Sequence, residues 1–351
     1  MGLLTTSAVL LTTLAGIRAE IVYTGDTLQG YPVISQLDIN NVPHNTISRF
    51  WISPGAGQGG LSYFLPIFVA RGTEESLETG RKLSLSASIH GDELNPVAIV
   101  QKIFAGLNET VASGEFNSTV IGLPTQNPQG NFLNQRNFFT SSSNGFFVDL
   151  NRNFPGESLE DGGSLPQSYT AAIWNNVWGN TSNVDIVVDF HTLSTGSNGP
   201  LWCYADYAAP GVQRIAELLA PDMIKIDPGE PGSIKTTWVQ AGIPAITVET
   251  GPANIWNKTL IQRTVDFAFR LMDDLQMTSG GPSLPDLSET FIATNFSGPS
   301  VTYSGVYNSW GDKLQDLTSE VTGRVLTVFV DPAVEAGARV ATIGYNATGN
   351  S

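Results

Sequence analysis

A strand whose residues show no polar–apolar alternation needs cover on both of its faces, and Asp185–Phe190 (DIVVDF) reads as such a strand. Its neighbours along the chain switch between two periods. LSLSASI from Leu83, Val120–Leu123, Leu201–Ala205 and Ala245–Val248 read as further strands. Leu94–Leu107, Ser168–Trp178, Val212–Ala220 and Thr259–Gln276 read as helices. In the last of these, Ile261, Val265, Ala268, Met272 and Leu275 recur at spacings of three and four on one face. Strands alternating with helices predict an α/β fold with a mixed, largely parallel sheet flanked by helices.

The flanking regions read differently. Residues 20–80 hold short apolar runs broken by Gly, Pro and Asn, which predicts a β-rich N-terminal part. Met277–Glu289 (MTSGGPSLPDLSE) is polar and rich in Gly and Pro, and the tail beyond it has β-like runs (GRVLTVFV, ARVATIGY) without a long helix. The expected organisation is a main domain over 20–277, a linker over 278–290 and a small all-β domain over 291–351. Leu3–Ile17 is short, apolar and uncharged, and Ala19 suits the small residue before a cleavage point, so 1–19 reads as a signal peptide. No later run is long and apolar enough to predict a membrane anchor. Sequons at Asn108, Asn117, Asn180, Asn257, Asn295 and Asn346 add to the expectation of a secreted, N-glycosylated protein.

Charge and cysteine content narrow the function classes. With 17 basic against 32 acidic residues the net charge is -15, which repels a phosphate backbone and argues against nucleic acid as a partner. Cys203 is the only cysteine, so neither a disulfide framework nor a cysteine-rich metal site is open to the chain. There is no G-x-G-x-x-G opening a helix, no G-x-x-x-x-G-K-[ST] and no G-x-S-x-G elbow. The run Gly55-Ala-Gly57-Gln-Gly59-Gly60 falls in the turn-rich β region and suits a loop.

Of the three histidines, His44 sits in a polar turn and His90 and His191 each follow a predicted central strand. Ligands of open α/β sheets lie beyond the carboxyl ends of the strands. Gly91 lets the backbone bend after His90, and Glu93 in the first turn of the next helix would point its carboxylate at the same spot as the imidazole. His191 would supply a third ligand. Two imidazoles and a carboxylate with one open position form a catalytic zinc arrangement, so one Zn2+ per chain is expected. Taken singly, an H-x-x-E pair or a histidine after a strand is an ordinary structural feature; the joint placement is what stands out. Glu249 ends another predicted strand, where a carboxylate can serve as general base or simply as a cap. Thr125–Gly156 is a long Asn-rich connection, and such loops are usually functional. It carries Arg136 and Arg152, whose forks suit a carboxylate or an oxyanion, and Asn151, which could equally tie the loop to itself.

Taken in order, His90-Gly-Asp-Glu93, Asn127-Pro-Gln-Gly…Arg136, Asp149-Leu-Asn-Arg152, Asp189-Phe-His191 and Glu249-Thr-Gly251 resemble the succinylglutamate desuccinylase/aspartoacylase family of the zinc carboxypeptidase-like superfamily. The resemblance spans Val33 to Gln276, and the β appendage fits it too. It implies that His90, Glu93 and His191 hold zinc and that Glu249 is the general base and acid. It further implies that Arg136 polarises the scissile carbonyl and that Asn151 and Arg152 bind a substrate carboxylate. One departure stands out. Aspartoacylases place an arginine shortly before the catalytic glutamate, and in Ile234-Lys-Thr-Thr-Trp-Val-Gln it is Trp238 that stands there. Lys235 lies close by, but a point charge is not a planar fork. Trp238 is therefore expected to touch substrate and to favour an apolar or aromatic acyl group, or a peptide C-terminus, over an N-acyl-aspartate. The resulting expectation is a secreted zinc hydrolase that cuts an amide in a small or short-peptide, carboxylate-bearing substrate. A metallocarboxypeptidase or an esterase on the same site are alternatives. A non-catalytic binding module would predict a decayed ligand or base, and none has decayed.

Overall fold

The computed structural model describes residues 22–55, 62–140, 146–300, 306, 312–330 and 337–346. The expected leader over 1–19 and Gly57, Gly59 and Gly60 lie outside them. The strands of the main domain are β1 (Val22–Leu28), β2 (Tyr31–Gln36), β3 (Thr46–Ile52), β4 (Leu65–Arg71), β5 (Lys82–Ala87), β6 (Thr119–Leu123), β7 (Phe138–Phe139), β8 (Phe147–Val148), β9 (Ile186–His191), β10 (Ser197–Asn198), β11 (Leu201–Ala205), β12 (Met223–Ile226) and β13 (Ala245–Thr250). The C-terminal stretch adds β14 (Phe291–Ala293), β15 (Asn295–Ser297), β16 (Arg324–Phe329) and β17 (Ala341–Tyr345). The helices are α1 (Ser76–Thr79), α2 (Asn95–Ala112), α3 (Pro128–Leu133), α4 (Leu165–Asn176), α5 (Val212–Leu219), α6 (Ile234–Gln240) and α7 (Lys258–Asp274).

Eleven strands form one sheet in the order β1-β2-β3-β4-β6-β5-β9-β13-β11-β12-β14. Its centre is parallel: β5 pairs with β9, and β9 with β13, so the carboxyl ends of all three lie on one edge. All six residues of β9 are buried, which is what the missing alternation of DIVVDF requires. Alternate residues of that strand go to opposite faces. Val188 and Phe190 pack with Phe104 of α2, Leu218 of α5 and Phe267 of α7. Val187 packs on the other face, with Ile173 of α4 and Ile234 of α6. Asp189 and His191 share the face of Val187 toward the strand's end.

The C-terminal stretch is stitched to the main sheet rather than hung from it. β14 pairs in parallel with β12 inside the large sheet. Conversely, β10 pairs with β16 and joins the four-stranded sheet β10-β16-β17-β15. Leu193, Trp202, Met223, Ala293 and Leu326 form the core between the two sheets.

One expectation is corrected by the packing. Trp238 does not reach a ligand site. It is fully buried, its ring 4.4 Å from that of Trp174 and 5.2 Å from that of Trp178. The physical reason lies in α6, a helix of seven residues in which Ile234 and Trp238 fall one turn apart on the face turned to the core. Trp238→Ala should therefore cost about 3–5 kcal/mol, as for other large aromatic truncations in cores. Urea unfolding would show this as a lower midpoint at unchanged slope; a midpoint like that of the native chain would contradict the core assignment.

Candidate active site

The turn after β5 delivers His90 and Glu93, the first two candidate metal ligands. β5 stops at Ala87, so His90 lies past the strand and not directly at its end as expected. Ser88 takes a left-handed backbone (φ 51), and its carbonyl accepts the amides of Gln126 and Asn127 at 3.3 and 3.1 Å. That bend buries Ile89 and brings His90 to the sheet edge. Gly91 acts by close approach. A Cβ there would lie 2.0 Å from the carbonyl carbon of Gly130, in the segment that carries Arg136. Glu93 precedes α2 and does not sit in its first turn. His191 is the last residue of β9 and pairs in register with Glu249 of β13.

The three side chains converge. His90 Nδ1 is 2.7 Å from Glu93 Oε1, His191 Nδ1 is 2.9 Å from Glu93 Oε2, and the two Nδ1 atoms are 3.2 Å apart. Both Nε2 atoms face carboxylates, Asp149 Oδ1 at 3.1 Å and Asp189 Oδ2 at 2.7 Å. A carboxylate only accepts, so each Nε2 carries a hydrogen, and with both rings neutral, as a bound cation would require, each Nδ1 lone pair turns inward. Two lone pairs and a carboxylate aimed at one point, all buried, are a donor set for a divalent cation, and the ligand atoms lie within 4.8 Å of one another. Burial pushes the Glu93 carboxyl up, but the flanking imidazoles outweigh it and hold it well below the ordinary range. Burial opposes charge on His191, yet Asp189 and Glu93 together lift it well above the usual histidine value. Zinc fits this set, since it takes imidazole nitrogen and carboxylate oxygen in sites with an open position.

Arg136 and Glu249 flank the cluster. Arg136 donates from Nη2 to Asp149 Oδ2 at 3.0 Å and from Nη1 to Ser194 Oγ at 3.1 Å, with His90 Nδ1 at 3.1 Å. Glu249 is 9% exposed, and its Oε2 has no hydrogen-bond partner among the described residues. Burial, reinforced by Glu93, pushes its carboxyl up to about 8 against the pull of His191 and Arg136. Asn151 Oδ1 accepts the amide N–H of Ile234 at 2.8 Å and so ties α6 to the Leu150–Arg152 turn. Arg152 is exposed and spends one donor on its neighbour's carbonyl at 2.8 Å.

A cavity of about 440 Å³ brings together His90, Glu93, Arg136, Asn151, Arg152, His191 and Glu249, leaving only Trp238 elsewhere. The sequence reading gave no role to Asp149, Asp189 or Ser194. Asp189 had a signal, because D-x-H on a strand puts both side chains on one face. The cavity also takes in Lys235, Trp202, Tyr204, Phe296 and Arg339.

A model of the succinylglutamate desuccinylase/aspartoacylase catalytic domain matches residues 79–275. The product-bound ectoine utilization protein EutE of Ruegeria pomeroyi superposes with a TM-score of 0.67 at 14% identity, over 87% of this chain and 98% of that one. A succinylglutamate desuccinylase/aspartoacylase of Rhodobacter sphaeroides gives 0.67 at 16%, over 88% and 98%. An aspartoacylase family protein of Mesorhizobium loti gives 0.65 at 18%, over 89% and 98%. These likenesses establish the zinc carboxypeptidase-like fold. No curated protein matches the chain in sequence.

Two outcomes follow from the geometry. Asp189→Asn or Asp149→Asn loosens the grip on an imidazole and should weaken zinc affinity about 10–100-fold. Competition with a chromophoric chelator at neutral pH measures it, and unchanged affinity would show that these carboxylates do not orient the ligands. In chelator-treated protein, the folded chain keeps the Glu249 proton up to about pH 8, while an ordinary glutamate releases it near 4.5. The folded state thus binds the extra proton in that window, and its stability falls as pH rises through it. Glu249→Gln should melt with the native chain near pH 4 and above it near pH 8; equal melting at both would refute the raised value.

Proposed function

The chain belongs to the succinylglutamate desuccinylase/aspartoacylase family, and on that premise we propose that it is a secreted, zinc-dependent hydrolase that splits the amide bond of an N-acyl amino acid or a similar small, carboxylate-bearing substrate. Deacylase-type hydrolysis comes with the family. The carrying observation is that an unpartnered, buried Glu249 carboxylate and the Arg136 guanidinium meet the His90–Glu93–His191 cluster in one cavity.

His90, Glu93 and His191 would hold one zinc ion, which supplies Lewis acidity to a bound water and to the acyl oxygen. Glu249 takes a proton from the attacking water and passes it to the departing nitrogen. The water oxygen ends on the acyl carbon, the C–N bond breaks, and a carboxylate and a free amine leave. A carboxyl pushed toward neutral pH suits a group that must hold a proton between those two moments. Arg136 offers charged donors to the carbonyl oxygen as negative charge grows on it. Arg152, with most of its guanidinium unengaged, suits the substrate carboxylate. Leu326, Thr327 and Thr342 of the small sheet, with Arg339 just before β17, line the same cavity, which favours a small substrate over a long peptide. Asn108, which heads a sequon, is exposed, in keeping with export.

The test is expression of the full chain with its own leader, recovery from the medium and assay on a panel of N-acyl amino acids and short peptides. Release of amine by the native chain is expected. Glu249→Gln should cut kcat by at least about 100-fold while keeping one zinc per chain. Full activity of the variant would remove the base role, and retention of the chain inside the cell would remove the secreted part.

A further inference from the structure

We propose that Trp202, Tyr204 and Phe296 form a specificity wall that seats a planar, apolar group, so that the chain prefers ring-bearing N-acyl amino acids to their acetyl or succinyl counterparts. This rests on the hydrolase reading above and narrows its substrate class.

Strand register carries the argument. In the antiparallel pair of β11 and β13, Trp202 stands opposite Glu249 and Tyr204 opposite Thr247. Cross-strand partners share a face. Glu249 in turn pairs with His191. One row therefore crosses three strands as His191, Glu249 and Trp202, and the face that presents the proposed base continues without a break into indole and phenol rings. The small sheet completes the wall. Phe296 of β15 lies with its ring 5.6 Å from that of Trp202 and 6.2 Å from that of Tyr204, and Trp202 and Tyr204 are 4.4 Å apart. Lys225 Nζ, 5.0 Å from the Phe296 centroid, steadies that ring.

These rings do more than join the two sheets. Trp202 is 2% exposed and belongs to the inter-sheet core. Tyr204 and Phe296 are only half-buried at its border, and both line the cavity beside the reacting groups. Ring surface left open in a cavity gains by being covered, and a flat partner covers it with stacking or edge contacts. The Trp202 indole N–H, moreover, has no acceptor among the described residues. Arg152 supplies charge for one end of such a substrate, and the wall supplies apolar contact for the other.

The test reads binding apart from turnover. The full-length, zinc-loaded Glu249→Gln chain is titrated by calorimetry with N-acetylglycine, N-benzoylglycine and N-acetylphenylalanine. At least one ring-bearing ligand should bind about tenfold tighter than N-acetylglycine. Benzoylglycine would place the ring on the acyl side, acetylphenylalanine on the amino-acid side, and either supports the wall. Tyr204→Ala should bring the ratio close to one, and Tyr204→Phe should keep it; should the alanine variant not fold, Tyr204→Leu keeps bulk without a ring plane. No preference for rings, or a preference untouched by these changes, overturns the proposal. Ring preference without turnover of any panel member would sink the hydrolase reading alone, whereas turnover without ring preference would sink the wall alone.

Discussion

Glu93 has no exposed surface and lies between two imidazoles, and much of the architecture answers to that buried charge. Taking a carboxylate out of water costs several kcal/mol unless charge and hydrogen bonds offset it. The offset has to come from two places far apart in sequence, so β5 and β9 must be parallel neighbours with their carboxyl ends level. The imidazoles need holding in turn, and Asp149 and Asp189 hold them from behind. With Glu249 added, four carboxylates surround the two imidazoles, and the guanidinium of Arg136 faces three of them, Glu93, Asp149 and Glu249. The cluster is rich in negative charge, and its least supported member, Glu249, is pushed toward its neutral form by burial first and by that charge second. The same imbalance makes the site receptive to a divalent cation.

Chemistry and selectivity share one sheet face but different strands. The centre, β5, β9 and β13, is parallel and supplies the charged groups at its carboxyl edge, in keeping with where ligands sit in open α/β sheets. The reversal of direction between β13 and β11 then turns the next strand's side chains, Trp202 and Tyr204, alongside Glu249 at the same level. β11 begins at that edge, with Leu201 opposite Thr250. The antiparallel pair thus sets an apolar surface directly beside a carboxylate.

Much of this was legible in the sequence, for physical reasons that differ by residue. His90, His191 and Glu249 each lie at or after a predicted strand, of which DIVVDF is marked as central by its lack of alternation, and strand ends converge by topology. The helices over 94–107 and 259–276 were legible from their apolar stripes. Trp238 misled because distance along the chain from Glu249 does not say which side of a short helix a residue takes; packing against Trp174 and Trp178 decides that. Gly91 suggests a sharp bend after His90, but its role is a close backbone approach to Gly130, which only the folded loop reveals. Within the Asn-rich connection, α3 and the paired strands β7 and β8 have too few residues for a period to show. The wall was hidden for a similar reason. Phe296 is 92 positions after Tyr204, on a strand of three residues.

The junction that builds the wall also fixes it. β14 belongs to the large sheet although it follows the linker, and β10 belongs to the small one although it precedes β11, so each sheet holds a strand of the other's stretch of chain. Contact across the junction is tight: a Cβ at Gly344 of β17 would lie 2.6 Å from Met223 Sδ of β12. Swinging the small sheet away would break ladder hydrogen bonds in both sheets and expose Leu326, Met223 and Trp202 together. Rings set by such packing are ordered before a ligand arrives, and a preformed surface favours a matching partner because little ordering cost is left to meet on binding. Selectivity here follows from the same contacts that hold the appended sheet in place, so a change of substrate would call for new side chains on β11 and β15 more than for any movement of the fold.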